Sequence, residues 1–389
     1  MALNLKIGDI VQNKYRIEKL INRGGMNSYL FLASNLHVQE FGPLQKRQFT
    51  RLVLKVVQRT DKINDNNWKK FLDETITTTR VSHKNLVQTF DVVSPRLSVL
   101  SENQVIVLED TVMIVMEYVD GPSLREMLNQ KGYFSVQEVV YYFTKLVKVI
   151  NYLHSFEHQI IHRDLKPENI LFTSNLTDIK LLDFGIASAV IRNAEKTEVL
   201  TDENSLFGTV SYMTPEVLES TVNKEGKRIR KPPTVQYDIY SLGFILFEML
   251  VGRVPFNKSI DPKKERETIQ KARNFDVPLM GNLRSDVPVS LENIVFKCTA
   301  VKRENSKWMY SDTKQLLADL AQWQTEQTLI KPVHERILEG QNEMRELMVS
   351  NYLPWYLRKG VLIFFSVVLL ALLIAVVSFF IITGVVVHS

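Results

Sequence analysis

One stretch constrains this chain more than any other. It is His162-Arg163-Asp164-Leu165-Lys166-Pro167-Glu168-Asn169, followed by Asp183-Phe184-Gly185. The stretch sets an acid, a lysine, a side-chain amide and a second acid on two loops. Any fold that uses them must bring those loops together. One acid can accept a proton, while the amide oxygen and the other acid are hard donors of the kind a small divalent cation takes. Taken singly, Asp164 or Asp183 would read as a carboxylate capping its own loop. Joined in this order, they read as one site.

The two halves together are the complete signature H-R-D-L-x-x-x-N followed by D-F-G. On these residues the chain resembles the eukaryotic-like (Hanks-type) protein kinases. The resemblance implies an α+β, two-lobed kinase fold with a small β-rich N-lobe and a larger helical C-lobe. It implies transfer of the γ-phosphoryl group of ATP, a reaction in which positioning and charge compensation do most of the work. Asp164 is then the catalytic carboxylate that orients the hydroxyl and accepts its proton. Lys166 contacts the transferred phosphate, and a lysine there points to serine/threonine substrates. Asn169 and Asp183 are the expected ligands of Mg²⁺, with Mn²⁺ as an alternative.

The nucleotide side lies upstream. Leu52-Val53-Leu54-Lys55-Val56-Val57 reads as a buried strand interrupted by one lysine. A bare ammonium is expensive to bury, so Lys55 needs a partner. The resemblance has it reach the phosphates and pair with Glu74, in Phe71-Leu72-Asp73-Glu74, with Asp73 the neighbouring rival. The aligned glycine loop, Asn22-Arg23-Gly24-Gly25-Met26-Asn27-Ser28-Tyr29, departs from G-x-G-x-x-G-x-V at Asn22, Asn27 and Tyr29. Gly24 and Gly25 still allow backbone amides close to phosphates, and asparagine tolerates left-handed dihedrals. Val115-Met116-Glu117-Tyr118-Val119-Asp120-Gly121 resembles the hinge between the lobes. Adenine is expected on the backbone of Glu117 and Val119, beside Met116. The cofactor contacts implied are therefore Asn22, Gly24, Gly25, Tyr29, Lys55, Glu74, Glu117 and Val119.

The segment from Asp183 to Thr214-Pro215-Glu216 is the expected activation segment. Thr201 or Ser205 is its expected autophosphorylation site, with Arg163 as a cationic partner for the phosphate. Thr209 is expected to contact Asp164. Asp238, opening an apolar helix, resembles the buried acid that braces the catalytic loop, and Lys307 is the expected partner of Glu216. Asn223 to Lys231 is basic and turn-rich, either a solvated insert or a docking patch for acidic partners or anionic lipid. Gly252-Arg253-Val254-Pro255-Phe256-Asn257-Lys258-Ser259 nearly matches a phosphate-binding loop. Asn257 replaces its second glycine, and Pro255 removes an amide donor, so the stretch is read as structural.

A chain of 389 residues is long enough for two lobes. Its net charge of +5 is too small to argue for a nucleic-acid partner, and protein substrates are expected instead. The single Cys298 excludes an intrachain disulfide and fits a reducing compartment. Residues 361–387 carry no charge, which exceeds the ~20 apolar residues that span a bilayer. Arg358 and Lys359 precede them, with Trp355 and Tyr356 at the interface.

The expected layout is an N-lobe to the hinge at 1–119, a C-lobe at 120–330, a juxtamembrane linker at 331–360 and one transmembrane helix at 361–387. The kinase domain faces the cytoplasm and the C-terminus lies outside a cell membrane. Ile337, Met344, Leu347 and Met348 could form an apolar stripe on the membrane, and a homodimer through the membrane segment is left open. This layout resembles the bacterial membrane-anchored serine/threonine kinases of the PASTA-kinase type, without their extracellular repeats. A membrane-tethered pseudokinase scaffold is the competing class, favoured by the altered glycine loop and Lys307. A small-molecule kinase is the third.

Overall fold

The structure is a computed structural model. It describes residues 5–24, 28–37, 50–61, 63–157, 159–182, 210–214, 221–222, 228–229, 234–256, 277–300 and 309–326. All the elements described belong to one compact unit built from Met1–Pro255 and Leu279–Pro332. A second unit, Phe256–Pro278 with Val333–Ser389, lies almost wholly outside the described residues. So do the expected linker and membrane helix. Among the described residues no helix is long and apolar enough to cross a membrane.

The first part of the chain is a sheet. Its strands are β1 (Ile10–Val11), β2 (Tyr15–Gly24), β3 (Ser28–Asn35), β4 (Arg51–Gln58), β5 (Thr89–Val93), β6 (Leu97–Ser101), β7 (Gln104–Leu108) and β8 (Thr111–Glu117). They run in the order β5-β8-β4-β3-β2-β1-β6-β7, so β5 and β7 are the edges. β4 and β8 are the most apolar strands, as expected of strands with a neighbour on each side. One face of the sheet buries Tyr15, Ile17, Phe31, Leu54, Val56 and Val115. The helix α1 (Asp65–Thr77) docks on the sheet through Trp68 and Phe71, which pack with Val57, Ile63 and Val112. Asn64 caps it by accepting from the N–H of Asn67.

The second part is helical. α2 (Leu124–Lys131) and α3 (Val136–His154) each open with a capping box, Ser123 with Glu126 and Ser135 with Glu138. The reciprocal bonds satisfy donors that a helix start leaves orphaned, contributing about 1 kcal/mol each. Next come the short hairpin β9 (Ile170–Phe172) and β10 (Ile179–Leu181), and a two-residue pair, β11 (Thr221–Val222) and β12 (Arg228–Ile229). The basic insert read from the sequence, 223–231, lies outside the described residues except for β12.

α4 (Val235–Val251) is apolar nearly all round and buried along almost its whole length, the signature of a central helix. α5 (Val289–Thr299) lies against it, and α6 (Thr313–Glu326) against α3. Gly243 sets the α4–α5 spacing: a Cβ there would sit 2.5 Å from Thr299 Cγ2 and 2.6 Å from Cys298 Cβ. Gly121, just past β8, has a similar role. A Cβ there would lie 2.0 Å from the backbone oxygen of Phe172. The end of the hinge can therefore pack on β9 only with no side chain at that position.

Candidate active site

The catalytic loop is built around one buried acid. Asp238, fully buried in the first turn of α4, accepts from the backbone N–H of His162 at 2.8 Å and of Arg163 at 2.9 Å. His154 Nε2, at the end of α3, lies 2.8 Å from the same carboxylate. These contacts hold Arg163 at φ +66°, a left-handed conformation that non-glycine residues rarely adopt. His162 Nε2 reaches the carbonyl of Leu182 at 2.9 Å, which fixes the end of β10 beside the loop.

The resulting geometry gathers three of the expected residues. Lys166 Nζ donates to Asp164 Oδ2 at 3.0 Å. Asn169 Nδ2 donates to the Asp164 carbonyl at 2.7 Å and to its Oδ2 at 3.1 Å. Both amide hydrogens of Asn169 are thereby engaged with Asp164. Its side-chain oxygen accepts nothing among the described residues, so this hard donor suits a divalent cation. The other expected metal ligand, Asp183, lies outside the described residues, as do Gly25 and the activation segment up to Thr209. Glu216 and Lys307 lie outside them too.

On the nucleotide side, Lys55 sits on β4 opposite Leu30 of β3 and Ile114 of β8. The expected ion pair with Glu74 is not formed. Glu74 lies 4.0 Å from Lys70, one helical turn earlier, and its Oε2 is buried with no hydrogen-bond partner among the described residues. Burial pushes the Glu74 carboxyl up from its ordinary pKa, and the positive charges of Lys70 and Arg163 offset part of that. Its ion pair is thus with Lys70 and not with the lysine it was expected to meet.

Asn22 and Gly24 lie on β2, opposite Leu30 and Ser28. Tyr29 needs correction as a nucleotide contact. It packs with the cluster on the other face of the sheet, stacked on Phe31 with ring centroids 6.2 Å apart and with Arg23 over its ring. Leu30 is the residue that joins Val53, Val87, Ile114 and Met116, together with Val119 and Leu182. The reason is strand parity: neighbours on a strand face opposite sides, and Leu30 shares the side of Lys55.

Glu117 ends β8. Its N–H donates to the carbonyl of Gln88 at 2.9 Å, and its side chain receives Lys180 at 2.9 Å. Among the described residues the N–H of Val119 makes no hydrogen bond to another backbone group. The adjacent hinge backbone can therefore pair with a purine edge.

A second network was not anticipated from the sequence. Arg125 of α2 donates to Glu168 at 2.8 Å, to Glu248 at 2.6 Å and to the hydroxyl of Tyr212 at 2.6 Å. Tyr212 in turn donates to Glu248 in a short hydrogen bond. Although burial works against its charge, the Glu248 carboxylate holds Arg125 protonated beyond its ordinary range. The network pins the segment Val210–Tyr212 to α4 and to the catalytic loop through Glu168. One signal was readable: Glu248 interrupts an otherwise apolar helix and so needs a cationic partner. Which cation answers it is set by contacts far apart in the chain.

A β-rich lobe carrying a lysine, a hinge, and a helical lobe carrying an aspartate-lysine-asparagine cluster define a two-lobed phosphotransferase. The comparisons with known proteins agree. The model of the protein kinase domain matches residues 43–328, beginning beyond the β2–β3 hairpin where the glycine loop departs from the family pattern. The chain belongs to the protein kinase family. It is 71% identical over 97% of its length to a Mycoplasma genitalium chain named as a serine/threonine-protein kinase, and it spans 97% of that relative. It is 33% identical to PknB of Lactococcus lactis and 31% to PrkC of Bacillus subtilis, both named as serine/threonine-protein kinases. The matches cover 82% and 76% of this chain, but only 43% and 38% of those two relatives.

Proposed function

We propose that the chain is an ATP-dependent serine/threonine protein kinase that signals from a membrane. The observation that carries the reading is the Asp164-Lys166-Asn169 cluster, locked by hydrogen bonds and braced by Asp238. ATP supplies the phosphoryl group, and a divalent cation, Mg²⁺ by its preference for hard oxygens, neutralises charge on the phosphate oxygens. Asn169 and Asp183 are the residues that would hold it. Asp164 accepts the proton of the substrate hydroxyl as the hydroxyl attacks. Lys166, 3.0 Å from Asp164 Oδ2, keeps that carboxylate in place and sets positive charge beside the transferred group. Lys55 supplies positive charge on the nucleotide side, and the backbone of Glu117 and Val119 receives adenine.

Phosphorylation of Thr201 or Ser205 by the kinase itself is part of the reading, because Arg163 offers the cation such a phosphate needs. So is tethering through residues 361–387, on the strength of their uncharged length and flanking Arg358 and Lys359. The domain then lies on the cytoplasmic side, with the bounds 1–119 and 120–330 for its lobes. A non-catalytic scaffold is not supported, since the relatives carry the names of kinases and Asp164, Lys166 and Asn169 stand together.

The test is transfer of labelled phosphate from ATP with Mg²⁺ by the full-length chain, with a generic basic protein as acceptor. Label on serine and threonine that disappears in Asp164→Asn is expected. Equal labelling by the variant would overturn the reading. Recovery of the chain in the salt-washed membrane fraction, lost on deleting 361–387, tests the tether.

A further inference from the structure

The hairpin of β6 and β7 extends the sheet with a strand that is apolar and uncovered. In β7, Val105 is 69% exposed, Ile106 47% and Val107 52%. Its sheet partner among the described residues is β6 alone. Edge strands of soluble proteins usually carry lysine, proline or a bulge against open-ended pairing. β7 has none of these.

The turn fixes which backbone groups face outward. Glu102 and Asn103 have φ of +50° and +64°, which makes this a two-residue type I′ hairpin. Its closing pair, Ser101 with Gln104, is hydrogen-bonded, and bonded pairs alternate along the ladder. Val99 with Ile106 is then a bonded pair, whereas Ser98 with Val107 and Leu100 with Val105 are not. An independent bond agrees: the carbonyl of Ser98 points away from β7 and accepts from Gln12 N–H at 2.8 Å. The N–H and C=O of Val105 and Val107 therefore face outward.

We propose that β7 is a homodimerisation edge that pairs antiparallel with β7 of a second copy, about a twofold axis at Ile106. The strand is self-complementary about that residue. Val105 of one copy faces Val107 of the other, and each such pair exchanges two backbone hydrogen bonds. Ile106 faces Ile106 as the non-bonded pair between them. A twofold at Val105 would set Val107 against Asn103, and one at Val107 would set Val105 against Glu109. Only the axis at Ile106 sets Val105, Ile106 and Val107 against one another, with Gln104 facing Leu108 at each end.

The charges at the strand ends permit this pairing. Lys6 neutralises Glu102 at 2.6 Å, and Arg96 neutralises Glu109 at 2.8 Å, both within one copy. Asp110, which would face Glu102 of the other copy, is the acid left to oppose it. One strand pair buries less than the ~1,000 Å² of a stable interface. The dimer is therefore weak and concentration-dependent, and an isologous contact closes at two copies.

Opposed non-bonded residues have Cα atoms about 4.5 Å apart, within disulfide range. Single cysteines would be placed at 105, 106 and 107 of the full-length chain in detergent micelles and oxidised with copper phenanthroline. Cys298 is buried and adds no background. Ile106→Cys is expected to give at least fivefold more disulfide dimer than Val105→Cys or Val107→Cys, whose like residues sit two positions out of register. Adding Val107→Pro should abolish that dimer, because it removes an outward N–H and no bond of the hairpin.

Cross-linking by Ile106→Cys no greater than by Ile76→Cys, on exposed α1, would sink the proposal, as would equal yields at 105, 106 and 107. Shielding of Ile106→Cys from an aqueous maleimide by lipid vesicles, without cross-linking, would also sink it and assign the strand to a bilayer. If the proline variant fails to fold, the three single cysteines decide alone.

Discussion

The catalytic loop and the nucleotide-side lobe are held to different standards. On the loop, the described residues hold one another: Asp238 holds the backbone of His162 and Arg163, and Lys166 and Asn169 hold Asp164. On the β-rich side, Glu74 stands 4.0 Å from Lys70 with a buried oxygen unsatisfied. The half that handles the proton is held by hydrogen bonds, whereas on the half that handles the nucleotide Glu74 pairs with Lys70 and not with Lys55. The contrast has a physical basis. The loop is braced by neutral backbone donors converging on one acid.

The largest effect should come from breaking the braced half. Asp238→Ala leaves two buried N–H groups and the His154 ring without their acceptor. Each such loss costs about 1–3 kcal/mol. A destabilisation of about 4 kcal/mol in urea unfolding is expected, with activity abolished. Asp238→Asn, which keeps one accepting oxygen, should lose less. An Asp238→Ala variant with an unchanged urea midpoint would remove the brace from the account. Next in size is Arg125→Met. It strands the carboxylate of Glu248, whose side chain is 4% exposed, and uncompensated buried charge costs about 3 kcal/mol. Combining it with Glu248→Gln should recover most of that, since Tyr212 can still donate to the amide oxygen. A double variant no more stable than the single one would mean that packing, not charge, is what Arg125 supplies.

A smaller effect sharpens the comparison on the nucleotide side. Leu30→Ala should raise KM for ATP about tenfold, the equivalent of ~1.4 kcal/mol of lost apolar contact. Tyr29→Ala should leave that KM unchanged and lower stability instead, because its ring packs on the far face of the sheet. The reverse pattern, read by initial rates and thermal melts on the same two variants, would restore Tyr29 to the site.

The two halves were also unequally legible. The catalytic loop is a local motif in which residue types and spacing nearly determine the geometry, and Asp164, Lys166 and Asn169 meet as their order implies. Asp238 could be anticipated because an acid opening an apolar helix must be paired. The assignment of Tyr29 fails for a reason local to β3. A motif position does not by itself state a strand face, and the face of Leu30 follows from its pairing with Lys55. Arg125 and Glu248 are brought together across 123 positions of sequence, beyond any local signal. The β6–β7 hairpin went unread although Glu102-Asn103 between two apolar runs is a turn pattern, because the family resemblance offered no element there.

The smallest effect concerns Glu74, and its sign separates the two halves most directly. Burial raises the pKa of this carboxyl in the folded chain above its ordinary value. The folded state therefore binds the proton more tightly than the unfolded state does. Ionising Glu74 costs stability as pH rises through the unfolded and then the folded pKa, and the penalty is complete above both. Glu74→Gln abolishes the ionisation. The variant should be more stable than the native chain at neutral pH, and the gain should vanish below the ordinary carboxylate range. Its phosphoryl-transfer rate should fall at the same time, because Lys55 loses its expected partner in the nucleotide-bound state. A variant that is more stable yet slower would show that the acid is kept at the expense of the resting fold. Thermal melts across that pH range, paired with initial rates, decide it: a pH-independent difference in stability would mean that Glu74 is already neutral or fully solvated, and that the β-rich half stores no such strain.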